Sequence, residues 1–136
     1  MGFKFIPHTS DIKFEATGKD LNELFESSAK ALFSAMLDLK NVKPLTEKKI
    51  EVKAKDIDYL LHDWLEELIF IFDTESLVLS KFEVKIKGNT LIAKAFGEPL
   101  DRQRHQPSVG VKAVAYSPLE VKKTKAGYKA TVVVDV

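Results

Sequence analysis

The sequence of 136 residues contains no cysteine, and this absence removes several classes of protein at once. Disulfide frameworks, thiolate metal sites and cysteine nucleophiles all require the missing residue. Only six glycines are present, and the closest two, Gly88 and Gly97, are nine residues apart. Glycine-rich loops that hold nucleotide phosphates need at least two glycines within about six residues. The sequence therefore contains no phosphate-binding loop of this kind.

A long apolar run and an excess of one charge are also missing. No stretch approaches the roughly 18 consecutive apolar residues of a membrane-spanning helix, and residues 1–7 lack the apolar core of a signal peptide. Twenty-one Lys and Arg residues nearly balance 20 Asp and Glu residues, which gives a net charge of +1. We therefore expect a cytoplasmic protein in which any contact with nucleic acid comes from a local patch of charge.

The length and the hydrophobic share of 45% predict one folded domain that spans residues 1–136. Apolar residues recur at helical spacing over 21–37 and again over 57–73. Asp20 and Asp56 precede these two segments, and aspartate is a favoured residue at the start of a helix. The sequence therefore predicts two amphipathic helices.

Most other apolar residues alternate with polar ones, as in strands with one solvated face. Gly88-Asn89 is a typical two-residue turn, so segments 82–87 and 90–96 are predicted to form a hairpin. Further strands are predicted at 4–6, 12–16, 50–55, 111–116 and 128–136. Two helices among mostly antiparallel strands indicate the α+β class.

Two segments have no clear helix or strand pattern. Residues 97–110 are predicted to form a long loop, which contains both arginines of the chain, Arg102 and Arg104. Residues 122–127 are predicted to form a turn or loop with a small basic cluster of Lys122, Lys123 and Lys125. An RNA-binding module that uses these arginines and lysines is one interpretation of the sequence.

Two polar features lie at the ends of predicted strands. The corner His8-Thr9-Ser10-Asp11 separates two short strands, and it is also typical of an ordinary Asx turn. Strand 128–136 stays apolar to its end, whereas most termini fray, so we expect a docked terminus that fixes Asp135 beside the carboxylate of Val136. If Asp11 lies beside them, the three carboxylates form an oxygen-lined site that suits a hard divalent cation.

Hydrolytic chemistry has weaker support. None of the serines lies in a nucleophile-elbow sequence, and the three histidines are not at metal-ligand spacing. His62 and Glu66 lie four residues apart on the second predicted helix, where a solvated pair is the ordinary interpretation. A metal-dependent hydrolase that uses Asp11 and Asp135, with His8 as the base, stays open as an alternative.

Several short motifs, taken in order, resemble the archease family over nearly the whole chain. They are His8-Thr9-Ser10-Asp11-Ile12, Ala31-Leu32-Phe33, Asp63-Trp64-Leu65 with Glu67-Leu68, Phe72-Asp73-Thr74-Glu75, Gly97-Glu98, Arg104-His105, Val111-Lys112-Ala113-Val114 and Val134-Asp135-Val136. Ala115 and Ser117 depart from the family pattern, in which a threonine and a histidine are usual. The resemblance implies a non-catalytic helper protein.

The resemblance also implies partners and a metal site. Archeases activate the RtcB-type RNA ligase of tRNA splicing and RNA repair by promoting its guanylylation from GTP and its multiple turnover, and some have been considered chaperones of a tRNA methyltransferase. The implied cation is calcium, with magnesium or manganese as alternatives. Its implied ligands are Asp11, Asp135 and the carboxylate of Val136, with Asp38 as a weaker acidic neighbour. We expect contacts with the partner at His8, Arg102, Arg104 and His105.

Overall fold

The computed structural model describes residues 2–7, 11–108, 110–116 and 119–136. The helices are α1 (Leu21–Ser34), α2 (Ile57–Glu75) and the short α3 (Arg102–His105), and a 3₁₀ turn covers Leu39–Asn41. The strands are β1 (Gly2–Ile6), β2 (Ile12–Gly18), β3 (Thr46–Lys53), β4 (Leu77–Lys87), β5 (Thr90–Pro99), β6 (Ala113–Val114), β7 (Glu120–Thr124) and β8 (Gly127–Asp135). The predicted α+β class is confirmed. Over the described ranges, no helix combines the length and apolar character needed to cross a membrane.

Strand β8 lies inside a five-stranded antiparallel sheet. On one side it pairs with β2 from Gly18↔Tyr128 to Ile12↔Val134, and β1 continues the sheet beyond β2. On the other side β8 pairs first with β7 and then, near its end, with β6. The prediction of a docked terminal strand is therefore confirmed. Strands β3, β5 and β4 form a separate three-stranded antiparallel sheet in that order, which includes the predicted hairpin.

The hydrophobic core lies where α1 and α2 pack against the two sheets. Helix α1 contacts both β2 and β4, so it joins the sheets. The ring of Phe82 on β4 stacks on Phe33 of α1 at 6.0 Å and meets Trp64 of α2 edge-on at 6.2 Å. Trp64 also donates its indole Nε1 to the carbonyl of Phe25 at 3.1 Å. This hydrogen bond satisfies the polar atom of a fully buried side chain.

The two long helices begin where the sequence predicts and end elsewhere. The Asp20 and Asp56 side chains accept hydrogen bonds from the third residue of each helix and so cap it. Helix α1 ends at Ser34 rather than at 37, because the amide of Met36 turns to the carbonyl of Phe33 in a tighter turn. Residues 36 and 37 remain buried, which explains why the apolar pattern continues past the helix. Helix α2 continues to Glu75, two residues beyond its predicted end.

Two predicted strand or turn assignments are wrong in their extent. Residues 122–127 are mostly strand, because β7 covers Glu120–Thr124 and pairs with β8. Its lysine-rich sequence resembles a turn because the strand lies exposed at an edge, where charged residues are favoured. The predicted strand 111–116 contains only the two-residue β6, after which the chain leaves the sheet at Tyr116.

The predicted loop 97–110 is shorter than expected. Strand β5 continues through Gly97 and Glu98 to Pro99, and α3 follows after Asp101 caps its first amides. Gly97 allows the strand to continue, because a Cβ at this position would collide with the carbonyl of Val78 on β4. The register of β4 and β5 shifts next to this contact, between Leu79 and Lys81.

Helix α1 covers the outer edge of the three-stranded sheet. The amides of Val84 and Ile86 on edge strand β4 donate to Glu26 and Asn22 of α1 at 2.8 Å and 2.9 Å. Burial raises the pKa of Glu26, although the hydrogen bond from Val84 acts in the opposite direction. These two side chains satisfy amides that an open edge would offer to another chain.

We predict that Gly97→Ala lowers the free energy of unfolding by about 2 kcal/mol, because the added Cβ displaces backbone that is already in close contact. Gly110→Ala is the matched control, since a Cβ there meets no atom of the described residues within 4 Å. It should change the free energy by less than about 1 kcal/mol. Urea denaturation of both variants measures the difference. Equal stabilities would contradict the close backbone contact between Gly97 and Val78.

Candidate functional site

The polar corner is formed where β2 begins and β8 ends. The last pair of their ladder at this end is Ile12↔Val134. Asp11 precedes Ile12 and Asp135 follows Val134, so the antiparallel register brings the two aspartates to adjacent positions on neighbouring strands. Neighbouring strands lie about 4.8 Å apart. The adjacency that the sequence left open is therefore present in the backbone arrangement.

Each side of this corner borders a shallow cavity. Asp11 lines a cavity of about 310 Å³ together with Phe5, Ile12 and the C-terminal end of α1 at Ser34 and Ala35. Val136 lines a second depression of about 570 Å³, which it shares with Asp73 and the segment 110–112. Both sides of the corner are therefore accessible to solvent.

Strand β6 fixes the far side of Asp135. Ala113 is the Cα partner of Asp135, and the amide of Lys112 donates to the Asp135 carbonyl at 2.8 Å. The amide of Ala115 donates to the carbonyl of Val133 at 2.9 Å. The departure from the family pattern at 115 leaves this backbone contact in place, whereas Ser117 lies outside the described residues.

A clamp on α2 holds β6 in place. His62 Nε2 donates to the carbonyl of Val114 at 2.9 Å, and Glu66 Oε1 accepts from the amide of the same residue at 3.2 Å. The expectation of a solvated His62 and Glu66 pair is wrong, because His62 is only 4% exposed. The ring of Tyr116 covers it at a centroid distance of 3.8 Å, and His62 Nδ1 contacts Asp63. The backbone groups of Val114 explain why a histidine is buried here.

A second polar cluster lies at the end of β5 and centres on Glu98. One oxygen of its carboxylate accepts from the amide of Lys43 at 2.7 Å, and both oxygens accept from the guanidinium of Arg104 at 2.6 Å and 2.9 Å. His105 Nε2 donates to Glu98 at 3.1 Å, since the amide of Asp101 occupies Nδ1. These hydrogen bonds, first those from Arg104, lower the pKa of Glu98 to about 2. The cluster fastens α3 and the segment after α1 to the sheet.

The expected partner contacts on α3 differ in their surroundings. Arg102 is exposed, whereas Arg104 is held by Glu98 and by the carbonyl of Asn41 at 2.9 Å. His105 is 2% exposed, so direct contact with a partner would require it to leave its place beside Glu98. His8 lies outside the described residues.

Asp38 has a local role at the start of the 3₁₀ turn. Its carboxylate accepts a hydrogen bond from the amide of Lys40 at 3.0 Å and caps the turn. Among the described residues, Asp38 does not line the cavity that contains Asp11. Its role as an acidic neighbour of the metal site stays a prediction.

The oxygen atoms of the corner are suited to a hard cation. Carboxylates on adjacent strand positions repel each other, and a divalent cation between them removes that repulsion. Within the described ranges, no group of three or more His, Asp and Glu side chains is arranged to hold a metal ion. The metal site of Asp11, Asp135 and the carboxylate of Val136 therefore stays a prediction.

Sequence reasoning did not assign a role to two of these groups. Glu98 is a lone carboxylate in the otherwise apolar end of β5, and this position is the signal that could have indicated a structural ion pair with Arg104. Asp73 is exposed at the end of α2 and shares a depression with Val136. The proximity of Asp73 to Val136 depends on packing between distant segments, which a local sequence pattern does not indicate.

Comparisons with known proteins show which family this chain resembles. The profile of the Archease protein family matches residues 3–136. An archease from Methanothermobacter thermautotrophicus is 40% identical over 138 residues, with 98% of each chain covered. An archease from Pyrococcus abyssi is 41% identical over 124 residues, with 88% of this chain and 87% of that protein covered.

Two solved structures have the same fold. The solution structure of protein 1598 from Methanobacterium thermoautotrophicum superposes with a TM-score of 0.88 at 39% identity and covers 99% of each chain. The crystal structure of a Thermotoga maritima protein, described as an archease and possible chaperone, superposes with a TM-score of 0.68 at 22% identity and covers 98% of this chain and 96% of that chain. At that lower identity, the second comparison shows the fold alone.

We predict that Glu98→Gln lowers the free energy of unfolding at neutral pH by about 2 kcal/mol, because Arg104 and His105 lose their shared acceptor charge. The folded-state pKa of about 2 lies below the ordinary value of 4.5. The stabilisation is therefore complete above pH 4.5 and is lost as the pH falls towards 2. Urea midpoints of parent and variant should converge over that interval, and a constant difference would contradict the prediction.

Proposed function

Because this chain belongs to the archease family, we propose that it is a non-catalytic activator of an RtcB-type RNA ligase. In this proposal it promotes guanylylation of the ligase from GTP, so that the ligase turns over many times in tRNA splicing or RNA repair. A broader chaperone role towards RNA-processing enzymes, including a tRNA methyltransferase, belongs to the same proposal. The register that brings Asp11 beside Asp135 is the observation that carries it.

The proposed working surface is the corner of Asp11, Asp135 and the carboxylate of Val136. Three carboxylate groups at one end of a sheet would provide oxygen ligands for Ca²⁺, and Mg²⁺ or Mn²⁺ prefer the same type of ligand. A divalent cation held by these carboxylates would supply positive charge for the phosphate oxygens of a nucleotide. Strands β2, β8 and β6 fix the backbone next to both aspartates.

The surroundings of the corner suit contact with a protein partner. Phe5 lines the cavity that contains Asp11 and is 46% exposed. It packs edge-on against Phe3, which is 37% exposed, so the rim beside Asp11 carries one exposed aromatic ring with a second ring next to it. Exposed aromatic side chains beside a charged centre are typical of protein interfaces. We propose that this rim positions the acidic corner against the active site of the ligase.

The fold contributes rigidity rather than a reaction of its own in this proposal. The sequence has no glycine-rich phosphate loop and no nucleophile-elbow motif. We therefore expect that the isolated chain neither hydrolyses GTP nor joins RNA ends, and that its effect is visible only with the ligase present. A ligase turnover assay with RNA in excess over the enzyme is the direct test.

We predict that Asp11→Asn and Asp135→Asn each reduce ligase stimulation by at least tenfold and weaken binding of Ca²⁺ or Mn²⁺. Each variant removes one carboxylate ligand and leaves side-chain size and the strand ladder unchanged. Calorimetric titration of the cation and the turnover assay provide the two measurements.

Glu120→Gln is the matched control for these variants, because it makes the same change of charge at an exposed position of β7 in the same sheet. It should stimulate the ligase as the parent does. Normal stimulation by both aspartate variants, with unchanged melting temperatures, would show that the corner has no part in activation.

A separate prediction concerns the carboxylate of Val136. Extending the chain beyond Val136 moves the negative charge away and leaves a neutral peptide carbonyl, which is a weaker ligand for a divalent cation. We expect weaker cation binding and lower ligase stimulation, measured by the same titration and turnover assay. An extension before Met1 is the control and should alter neither property. Equal affinity and stimulation for the two extended chains would remove Val136 from the proposed site.

A further inference from the structure

The outer face of the three-stranded sheet is a regular surface that the proposed function does not use. Alternate residues of β3, β5 and β4 point away from the helices, and the registers align them in four rows of three across the sheet. The rows are Glu47, Phe96 and Lys81; Lys49, Lys94 and Glu83; Glu51, Ile92 and Lys85; and Lys53, Thr90 and Lys87. All are exposed except Thr90 and Phe96, which are half-buried. We call this surface the lysine face.

The lysine face concentrates positive charge in a chain that is nearly neutral. It carries six lysines and three glutamates, an excess of three positive charges, whereas the whole chain has a net charge of +1. The remainder of the molecule is therefore net negative. Charges separated by more than about 8 Å are screened at physiological ionic strength. Distant acidic residues therefore do not cancel the positive potential of the lysine face.

Several lysines on this face lack the ion pairs that would neutralise them. Lys53 contacts Glu51 and Lys81 contacts Glu83, each at 3.8 Å. Among the described residues, Lys49, Lys85, Lys87 and Lys94 make no ion pair within 4.0 Å. Lys49 and Lys94 are direct cross-strand partners. Like charges at such positions destabilise a sheet. Glu83, the cross-strand partner of Lys94 on β4, offsets part of that cost, and an anion bound beside Lys49 would remove the rest.

Apolar groups lie among these cations. Ile92 is 57% exposed near the centre of the face, and Phe96 lies in the first row with Lys81 Nζ 5.3 Å from its ring centroid. An antiparallel sheet whose outer face carries lysines and an aromatic ring is a known means of holding single-stranded RNA, in which lysines contact phosphates and rings contact bases. The sheet presents no protruding helix or ribbon that could enter a duplex groove.

We propose that the lysine face binds single-stranded RNA through its phosphodiester backbone, without sequence preference. The choice of RNA over DNA rests on the function proposed above, whereas the phosphate contacts depend only on the lysines. A second copy of the chain is a poor occupant, because two such faces would bring their excess positive charges together. This surface differs from the RNA-binding residues expected from the sequence, of which Arg104 is occupied by Glu98.

The test is the binding of a fluorescein-labelled 12-nucleotide oligouridylate to the full chain without ligase, followed by fluorescence anisotropy over a range of salt concentrations. The double variant Lys49→Gln and Lys94→Gln should raise the Kd at least fivefold at low salt. If both lysines contact phosphates, the slope of log affinity against log salt should also become shallower by about 1.4.

The matched control is the double variant Lys123→Gln and Lys125→Gln, which makes the same change of charge at exposed positions in and after β7. It should leave the Kd within twofold of the parent. An equal loss in both double variants, or no loss in the first, would overturn the proposal. Displacement of the RNA by polyglutamate at the same charge concentration would also overturn it, because the surface would then be a general site for acidic chains.

Two further measurements distinguish RNA binding by the lysine face from self-association and from binding at the acidic corner. Light scattering should show the same mass for the parent and for the lysine-face variant, whereas a dimer lost only in the variant would indicate a self-association surface and overturn the proposal. Asp11→Asn should bind the oligonucleotide like the parent. Because no ligase is present, failure of ligase activation would leave the binding result unchanged, and failure of RNA binding would leave the acidic corner untouched.

Discussion

The pairing of β8 with β2 is the constraint on which the rest of the molecule depends. Seven cross-strand pairs join the last strand to the second, and these two strands are distant in sequence. Because β8 also pairs with β7 and β6, its hydrogen-bonding groups are engaged on both sides. A strand in this position cannot slip by one residue without moving Val132 and Val134 out of the core. The relative position of Asp11 and Asp135 follows from that register.

Two polar clusters hold segments that have little regular structure against the sheets. His62 and Glu66 bind both backbone groups of Val114, as a neighbouring strand would, and so hold β6 beside Asp135. Glu98 gathers donors from Lys43, Arg104 and His105 and fastens the segments that follow α1 and β5. Among the described residues, no buried side-chain polar atom lacks a hydrogen-bond partner. Satisfied clusters of this kind restrict their neighbours, because breaking one contact leaves the remaining groups unpaired.

The sequence predicted the elements whose causes are local. The two helices follow from apolar spacing and from the caps at Asp20 and Asp56, and the hairpin follows from the turn at Gly88-Asn89. Strand β7 was missed because its partner β8 supplies the order that its lysine-rich sequence does not indicate.

The candidate site was predictable only in part for the same reason. A terminal strand that stays apolar indicated that Asp135 would be fixed, and β8 confirms the docking. The adjacency of Asp11 to Asp135 depends on a register between distant segments, which no local pattern contains. The burial of His62 and the acceptor role of Glu98 likewise depend on backbone groups and side chains brought together only by the fold.

The near-neutral composition is an average over separate local groups of charge, among them the carboxylates of the corner and the lysines of the lysine face. The aspartate corner belongs to the five-stranded sheet, whereas the lysine face belongs to the three-stranded sheet and points away from the helices. Helix α1 packs against β2 of the first sheet and β4 of the second, and a helix with its side chains is about 10 Å across. That thickness exceeds the screening length of about 8 Å in physiological salt, so charges on opposite sides of α1 are largely screened from each other. An average over the sequence can exclude a strong overall field, but it cannot exclude local fields that the fold has separated.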